Sequence, residues 1–221
     1  MLSQWNRFVK RTFDVVAAAL GLVCTGWLIL LAAVVARWDT GLSGFFRQTR
    51  LGLHGRPFQI LKIRTMRNID GLTTTVTTAR DPRITRIGCF FRRTKIDELP
   101  QLINVLVGDM SFVGPRPDVP ELMEGLSGDD RVVLSVRPGI TGPASIKYRN
   151  EEELLAQQAN PDQYNRMILF PDKTRINRRY VEDYSLLRDL IYIWDTVAGQ
   201  RSARSDELEG QPRPDVTRRA A

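Results

Sequence analysis

Histidine is nearly missing from this chain of 221 residues, in which His54 is the single imidazole. That argues against a zinc site and against a Ser/His/Asp triad, both of which lean on histidine. Cysteine is scarce as well. Cys24 and Cys89 lie far apart and in very different settings, which makes a disulfide framework improbable and favours a cytosolic catalytic part. Any metal is therefore expected to be a hard cation on carboxylates. No internal repeat is visible, and at this length nothing forces a second globular domain.

Charge is missing from one long stretch. Val15 to Ala36 contains no Asp, Glu, Lys or Arg and no proline, and as a straight helix its roughly 22 residues would measure about 33 Å, the scale of a bilayer core. Ala36 leads into Arg37, Trp38 and Asp39 rather than into a small-residue cleavage site, so the run is not read as a signal peptide. Arg7, Lys10 and Arg11 precede it, and Arg37, Arg47, Arg50, Arg56, Lys62, Arg64 and Arg67 follow it. This bias draws both ends toward the cytoplasm, and a single span can satisfy only one of them. The preferred reading is a re-entrant helix that breaks near Gly21 or Cys24-Thr25-Gly26 and returns, with a spanning helix as the alternative. Ahead of the run, Leu2, Trp5, Phe8, Val9 and Phe13 recur at helical spacing among basic residues, as in an interfacial helix. Asp14 is expected to pair with Arg11 or another basic neighbour, since an unpaired charge in a bilayer helix costs about 2.5 to 3.5 kcal/mol.

What the chain does have is positive charge, a formal +7 with a pI near 9.8. This fits an anionic partner: nucleic acid, anionic membrane lipid or a phosphorylated substrate. No helix-turn-helix or RNA-binding signature is present, so no nucleic-acid partner is expected. Cations crowd the region from Arg80 to Arg116, around the start of the apolar run Leu102 to Val107. Asp97-Glu98-Leu99-Pro100 opens that run, which predicts Asp97 as N-cap, Pro100 in the first turn and Gly108 as the stop. Capping and dipole compensation would by themselves explain two acidic residues there. A carboxylate kept ionised by the dipole and nearby arginines is also equipped to attack phosphorus and form an acyl phosphate. Glu98 would then hold a cation or manage a proton, with Mg²⁺ on Asp97 and Glu98. Arg116, fixed between Pro115 and Pro117, suits bidentate phosphate contact. The full set of candidate phosphate-binding residues is Lys62, Arg64, Arg83, Arg92, Arg116 and Arg137.

The remaining pattern predicts a short strand within Phe58 to Met66, a polar linker over Thr73 to Thr78, and an acidic helix over residues 151–159. Ser185 to Ala198 reads as an amphipathic helix with Leu186, Leu187, Leu190, Ile191, Trp194 and Val197 toward one side. The expected fold class is α+β, mainly helical. Residues 1–38 would form interfacial and re-entrant membrane helices, residues 39–198 a compact cytosolic catalytic domain with a small sheet, and residues 199–221 a disordered tail.

Five segments together resemble the small monotopic phosphoglycosyl transferases, the bacterial sugar transferases that start glycan assembly on undecaprenyl phosphate. They are Phe45-Phe46-Arg47-Gln48, Leu61 to Met66, Lys95 to Leu106, Gly108 to Pro117 and Val136 to Gly142, preceded by Lys10-Arg11-Thr12-Phe13-Asp14. The resemblance runs from that N-terminal segment to about Thr196. It implies a ping-pong reaction in which Asp97 takes a sugar phosphate from a UDP-sugar, releases UMP and passes the phosphosugar to polyprenyl phosphate. Glu98 would be the second catalytic carboxylate, Arg116 and Arg137 would lie near nucleotide or phosphates, and Mg²⁺ would be required. It implies residence at the bacterial inner membrane with the catalytic domain on the cytoplasmic face, and it allows a homodimer. The chain departs from the family at Thr25-Gly26-Trp27, where relatives carry a Ser-Pro pair, and at Pro143 to Arg149, where many carry Trp-Ala-Gln. The second departure leaves the choice of sugar open. The alternatives are a catalytically silent membrane scaffold of the same fold, which would release no UMP, and a nucleic-acid-binding membrane regulator, whose affinity would fall steeply with salt.

Overall fold

The structure is a computed structural model that describes residues 3–72 and 74–198. The tail expected over 199–221 lies outside the described residues, as does Thr73 of the linker.

The first helix, α1 (Gln4–Thr40), opens where the Ser3 hydroxyl accepts from the Asn6 N–H at 3.1 Å. It closes where Gly41, at φ 72°, turns its N–H back to the Arg37 carbonyl. Its 37 residues span about 55 Å. The break expected near Gly21 and Gly26 is absent: the helix is continuous, and the Thr25 hydroxyl donates to the Gly21 carbonyl at 2.7 Å within it. Glycine costs a helix only about 1 kcal/mol against alanine, and without proline the hydrogen-bond ladder persists.

One face of α1 joins the body of the protein along most of its length. Ala18 packs with Ile60, Val105 and Met110, while Ile29, Ala32, Ala33 and Ala36 pack with Ile63 and Phe91. The small side chains bring backbones close. A side chain on Gly44 would put its Cβ 1.8 Å from the Ala33 carbonyl oxygen, so only glycine fits there. The opposite face leaves Val16, Leu20, Val23, Trp27, Leu30, Leu31 and Val34 exposed. Asp14 is buried, but its partner is not Arg11. Its carboxylate accepts from the Ser111 hydroxyl at 3.1 Å and the Phe112 N–H at 3.0 Å. Arg11 donates instead to the carbonyls of Val105 and Leu106, at 2.6 and 2.9 Å.

An antiparallel hairpin follows, β1 (Phe45–Leu51) and β2 (Pro57–Ile63), in register from Phe45 opposite Ile63 to Leu51 opposite Pro57. The short strand expected within Phe58 to Met66 is β2, which ends at Ile63, and Met66 forms only an isolated bridge with Ile84. Next come α2 (Arg86–Thr94) and α3 (Gln101–Val107), which Gly108 ends as expected, at φ 99°. Then β3 (Ser111–Val113) pairs in parallel with β4 (Gly139–Thr141), across a connection that includes α4 (Pro120–Met123). The C-terminal part is helical: α5 (Pro143–Lys147), the acidic α6 (Glu151–Ala156), α7 (Pro161–Tyr164), α8 (Phe170–Glu182) and α9 (Leu186–Ala198).

Helix α9 is amphipathic as expected, and the side turned inward is largely polar. Its buried residues are Asp189, Tyr192 and Asp195, while Leu187, Leu190, Trp194 and Val197 are exposed. Polar partners explain this. Asp189 accepts from Lys10 at 2.5 Å, Tyr180 at 2.8 Å and Tyr184 at 3.3 Å, a network that ties α9 to α1 and α8 and satisfies the buried carboxylate.

Candidate active site

Asp97 and Glu98 sit in a 3₁₀ turn, Ile96–Glu98, between α2 and α3. Asp97 is therefore not the helix N-cap that its sequence position predicted; Pro100 occupies that place, without a side-chain cap. The turn is set by Lys95, which adopts φ 59° and ψ 16°. A left-handed conformation costs a non-glycine residue about 1 to 2 kcal/mol, and here it lies two residues before the first carboxylate. Asn104 fixes α3 against the hairpin. Its side chain accepts from the Leu61 N–H at 3.0 Å and donates to the Gln59 carbonyl at 2.8 Å, so it straddles Ile60 on the strand that carries Lys62.

The two adjacent carboxylates live in opposite environments. Glu98 accepts from Lys62 at 3.1 Å and from Arg116 at 2.9 Å. Burial pushes its carboxyl up, but Arg116, Lys62 and Lys95 outweigh burial and hold it well below the usual carboxylate range. The same neighbourhood raises the Arg116 guanidinium, chiefly through Glu98, and lowers Lys62 through burial.

Asp97 is 6% exposed, and its Oδ1 has no hydrogen-bond partner. Burial, then the negative charge of Glu98, pushes it up to about 6, against the pull of Lys62, Arg92 and Lys95. A buried carboxylate with a free oxygen, ionised at neutral pH but poorly solvated, has the properties of a nucleophile.

The cations expected to gather here are sorted into two groups. Lys62 and Arg116 bind Glu98 directly. Arg92 acts on Asp97 through space, and its guanidinium contacts Thr65 at 3.2 Å and pairs with Glu152. The structure does not bring the other three to the carboxylate pair. Arg64 donates to the Ser43 carbonyl at 2.7 Å and lies over the Phe46 ring. Arg83 is held by Asp81 at 2.6 Å and by the Thr74 carbonyl at 2.9 Å. Arg137 donates to the Gly108 carbonyl at 2.8 Å, where with Arg11 it caps the C-terminal end of α3.

Sequence reasoning passed over Lys95 as the turn-former and Asn104 as the anchor. A lone amide inside the apolar run Leu102 to Val107 was the available signal for Asn104.

Among the described residues no group of three or more His, Cys, Asp or Glu side chains could hold a metal by itself. The free Asp97 Oδ1 does fit Mg²⁺, which takes one or two protein carboxylates and completes its shell with substrate phosphates and water.

Residues 5–201 match a protein family described as bacterial sugar transferase. The chain is 39% identical over 193 residues to a UDP-glucose:undecaprenyl-phosphate glucose-1-phosphate transferase of Caulobacter vibrioides, covering 85% of this chain and 68% of that protein. It is 34% identical over 205 residues to the protein of that name in Escherichia coli, covering 89% of this chain but 41% of the relative. It is 33% identical over 204 residues to exopolysaccharide production protein ExoY of Sinorhizobium fredii, covering 85% and 83%.

Proposed function

The chain belongs to the bacterial sugar transferase family, and from that premise we propose that it transfers a sugar 1-phosphate from a UDP-sugar to undecaprenyl phosphate in exopolysaccharide or related glycan synthesis. The observation that carries the reading is the contrast between Asp97, buried with a free oxygen, and Glu98, clamped between Lys62 and Arg116.

In the first half-reaction an Asp97 carboxylate oxygen attacks the phosphorus that bears the sugar. The bond from that phosphorus to the bridging oxygen breaks, and UMP departs with the electron pair. In the second half-reaction an oxygen of the polyprenyl phosphate attacks the same phosphorus, and Asp97 leaves as a free carboxylate with the phosphosugar on the lipid. Glu98 transfers no proton; it holds Lys62 and Arg116 in place for the diphosphate. Bound Mg²⁺, with Asp97 or Glu98 as protein ligand, would neutralise charge on the phosphates and the leaving nucleotide. Purified protein supplied with Mg²⁺, UDP-glucose or UDP-galactose and undecaprenyl phosphate is expected to release UMP, and EDTA is expected to stop it. No UMP from any UDP-sugar would overturn the reading.

The membrane arrangement follows from α1. Asp14 and Ala36 are both buried against the same protein body, yet along the helix they lie about 33 Å apart, the full thickness of the hydrocarbon core. Standing the helix upright would drag charged protein surface through lipid. Helix α1 therefore rests against the bilayer with its exposed apolar face inward and both ends on the cytoplasmic side of the inner membrane. Leu187, Leu190, Trp194 and Val197 of α9 are exposed apolar residues as well. With Cys24 and Cys89 replaced by serine, cysteines at Ser3 and Ser43 should react with an impermeant thiol reagent only after spheroplasts are opened. Labelling of one end in intact spheroplasts would establish a spanning helix instead.

A further inference from the structure

Helix α6 carries Glu151, Glu152 and Glu153 in its first turn, and two of them reach the arginines beside the carboxylate pair. The Glu152 carboxylate pairs with Nη2 of Arg92, and the charge of Glu151 helps to raise Arg116. The backbone under Glu152 is fixed. Its carbonyl accepts from the Ala79 N–H at 3.0 Å, and the neighbouring Glu151 is held by Lys173 at 2.5 Å. The carboxylate end is freer: the Glu152 side chain is 42% exposed, against 12% for Glu98, which two cations clamp. Its hold on Arg92 is also incomplete. Nε lies on the same edge of the guanidinium as Nη2, and it is buried without a hydrogen-bond partner. Glu152 thus uses half of an edge whose two parallel N–H groups match two oxygens of one carboxylate or phosphate.

Resting on the transferase reading above, we propose that Glu152 stands in for substrate phosphate on Arg92 and sets the affinity for the UDP-sugar by competing for that arginine. The phosphorus under attack comes within about 3 to 3.5 Å of an Asp97 oxygen, and Arg92 is near enough to Asp97 to favour its ionised form. Oxygens on that phosphorus therefore arrive within reach of Arg92. As the donor enters, Arg92 exchanges Glu152 for a phosphate oxygen, and the exposed Glu152 side chain swings into solvent while α6 stays in place. One ion pair replaces another, and no covalent bond changes. Glu152 touches no reacting atom and acts through Arg92, as a positioning residue whose effect is opposite to that of Glu98. Pinned Glu98 holds its cations ready, whereas Glu152 withholds one until the donor takes it.

The test uses the full-length protein in detergent with Mg²⁺, undecaprenyl phosphate and a panel of UDP-sugars, and compares steady-state kinetics of Glu152→Gln, Arg92→Gln and the double variant. Glu152→Gln should raise kcat/KM for the preferred donor about 2- to 5-fold, the scale of a partly exposed ion pair, and should do so through KM rather than kcat. Arg92→Gln should lower kcat/KM about 10- to 100-fold. On that background Glu152→Gln should bring no further gain, because the group it competes for is gone. Melting curves identify an Arg92→Gln protein that fails to fold, in which case Arg92→Lys supplies the second background and the sign of the Glu152→Gln effect decides. A fall in kcat/KM on Glu152→Gln would mean that Glu152 holds Arg92 in its working position, and would overturn the proposal. Wild-type kinetics of Glu152→Gln would do the same, as would a gain that persists without Arg92. If the wild type releases no UMP from any UDP-sugar, the transferase reading itself has failed, an outcome visible before any variant is compared.

Discussion

Asp97→Asn should lower UMP release by about 10⁴-fold or more, the scale seen when a nucleophile acting within a concerted site is removed, and should leave the protein more stable than the wild type at neutral pH. The second half is the more discriminating. Burial raises the Asp97 carboxyl from its ordinary value of 3.8 to about 6 in the folded state. The folded protein therefore holds this proton more tightly than the unfolded chain does. The resulting stability is fully present below pH 4, is lost as pH rises toward 6, and stays lost above it. Asparagine imitates the neutral form at every pH. Asp97→Asn should accordingly melt several degrees above the wild type at pH 7.5, from a gain on the order of 2 kcal/mol, and close to it at pH 4. The same ionisation should make wild-type kcat/KM rise through about pH 6 and level off above it. Full activity in Asp97→Asn would sink the nucleophile assignment. A neutral-pH melting temperature below that of the wild type would show that its charge is not the strained one.

Glu98→Gln should behave in the opposite way on stability. Removing the charge strands Lys62 and Arg116, which now neutralise it at 3.1 and 2.9 Å. Breaking a buried pair by deleting one partner costs about 3 to 5 kcal/mol. Arg116 is 38% exposed on its side chain, so solvent screens part of the loss. A drop of about 2 to 3 kcal/mol, or roughly 5 to 10 °C in melting temperature, is expected. Because Glu98 lies well below the usual carboxylate range, the deficit should be present at neutral pH and fade only as the wild type is itself strongly acidified. Activity should fall as well, since Lys62 and Arg116 lose the anchor that aims them at the diphosphate. Calorimetry on the two neighbouring variants would thus give shifts of opposite sign. Two shifts of the same sign would show that the carboxylates share one environment.

Sequence reading reached the carboxylate pair because acidic residues were set in a basic region at the head of an apolar run, a local pattern. It reached a strand within Phe58 to Met66, the stop at Gly108 and the acidic α6 for the same reason, but not β1 or the pairing that makes the hairpin. Arg116 was identifiable because flanking prolines restrict it, and the structure places it on Glu98. Arg64, Arg83 and Arg137 looked equivalent to it in the linear chain, since a guanidinium carries no sign of its partner. Their partners are Ser43, Asp81 and Gly108, supplied by segments whose approach is decided by packing.

The sequence by itself determined the chemistry available: one helix long and apolar enough for a membrane, a surplus of cations, an adjacent pair of carboxylates and almost no imidazole. Only the tertiary structure decided how that chemistry is divided. In a 3₁₀ turn, successive side chains leave the backbone about 120° apart, so Glu98 meets Lys62 and Arg116 while Asp97 is left with a free oxygen, and burial then moves the two carboxyls in opposite directions. The same holds for the helices. Periodicity shows that α9 has two faces, but the Lys10, Tyr180 and Tyr184 contacts to Asp189 settle which face turns inward. Hydropathy shows that α1 suits lipid, while Ser111, Gly44 and Phe91 along its other side fix it lengthwise to the body of the protein.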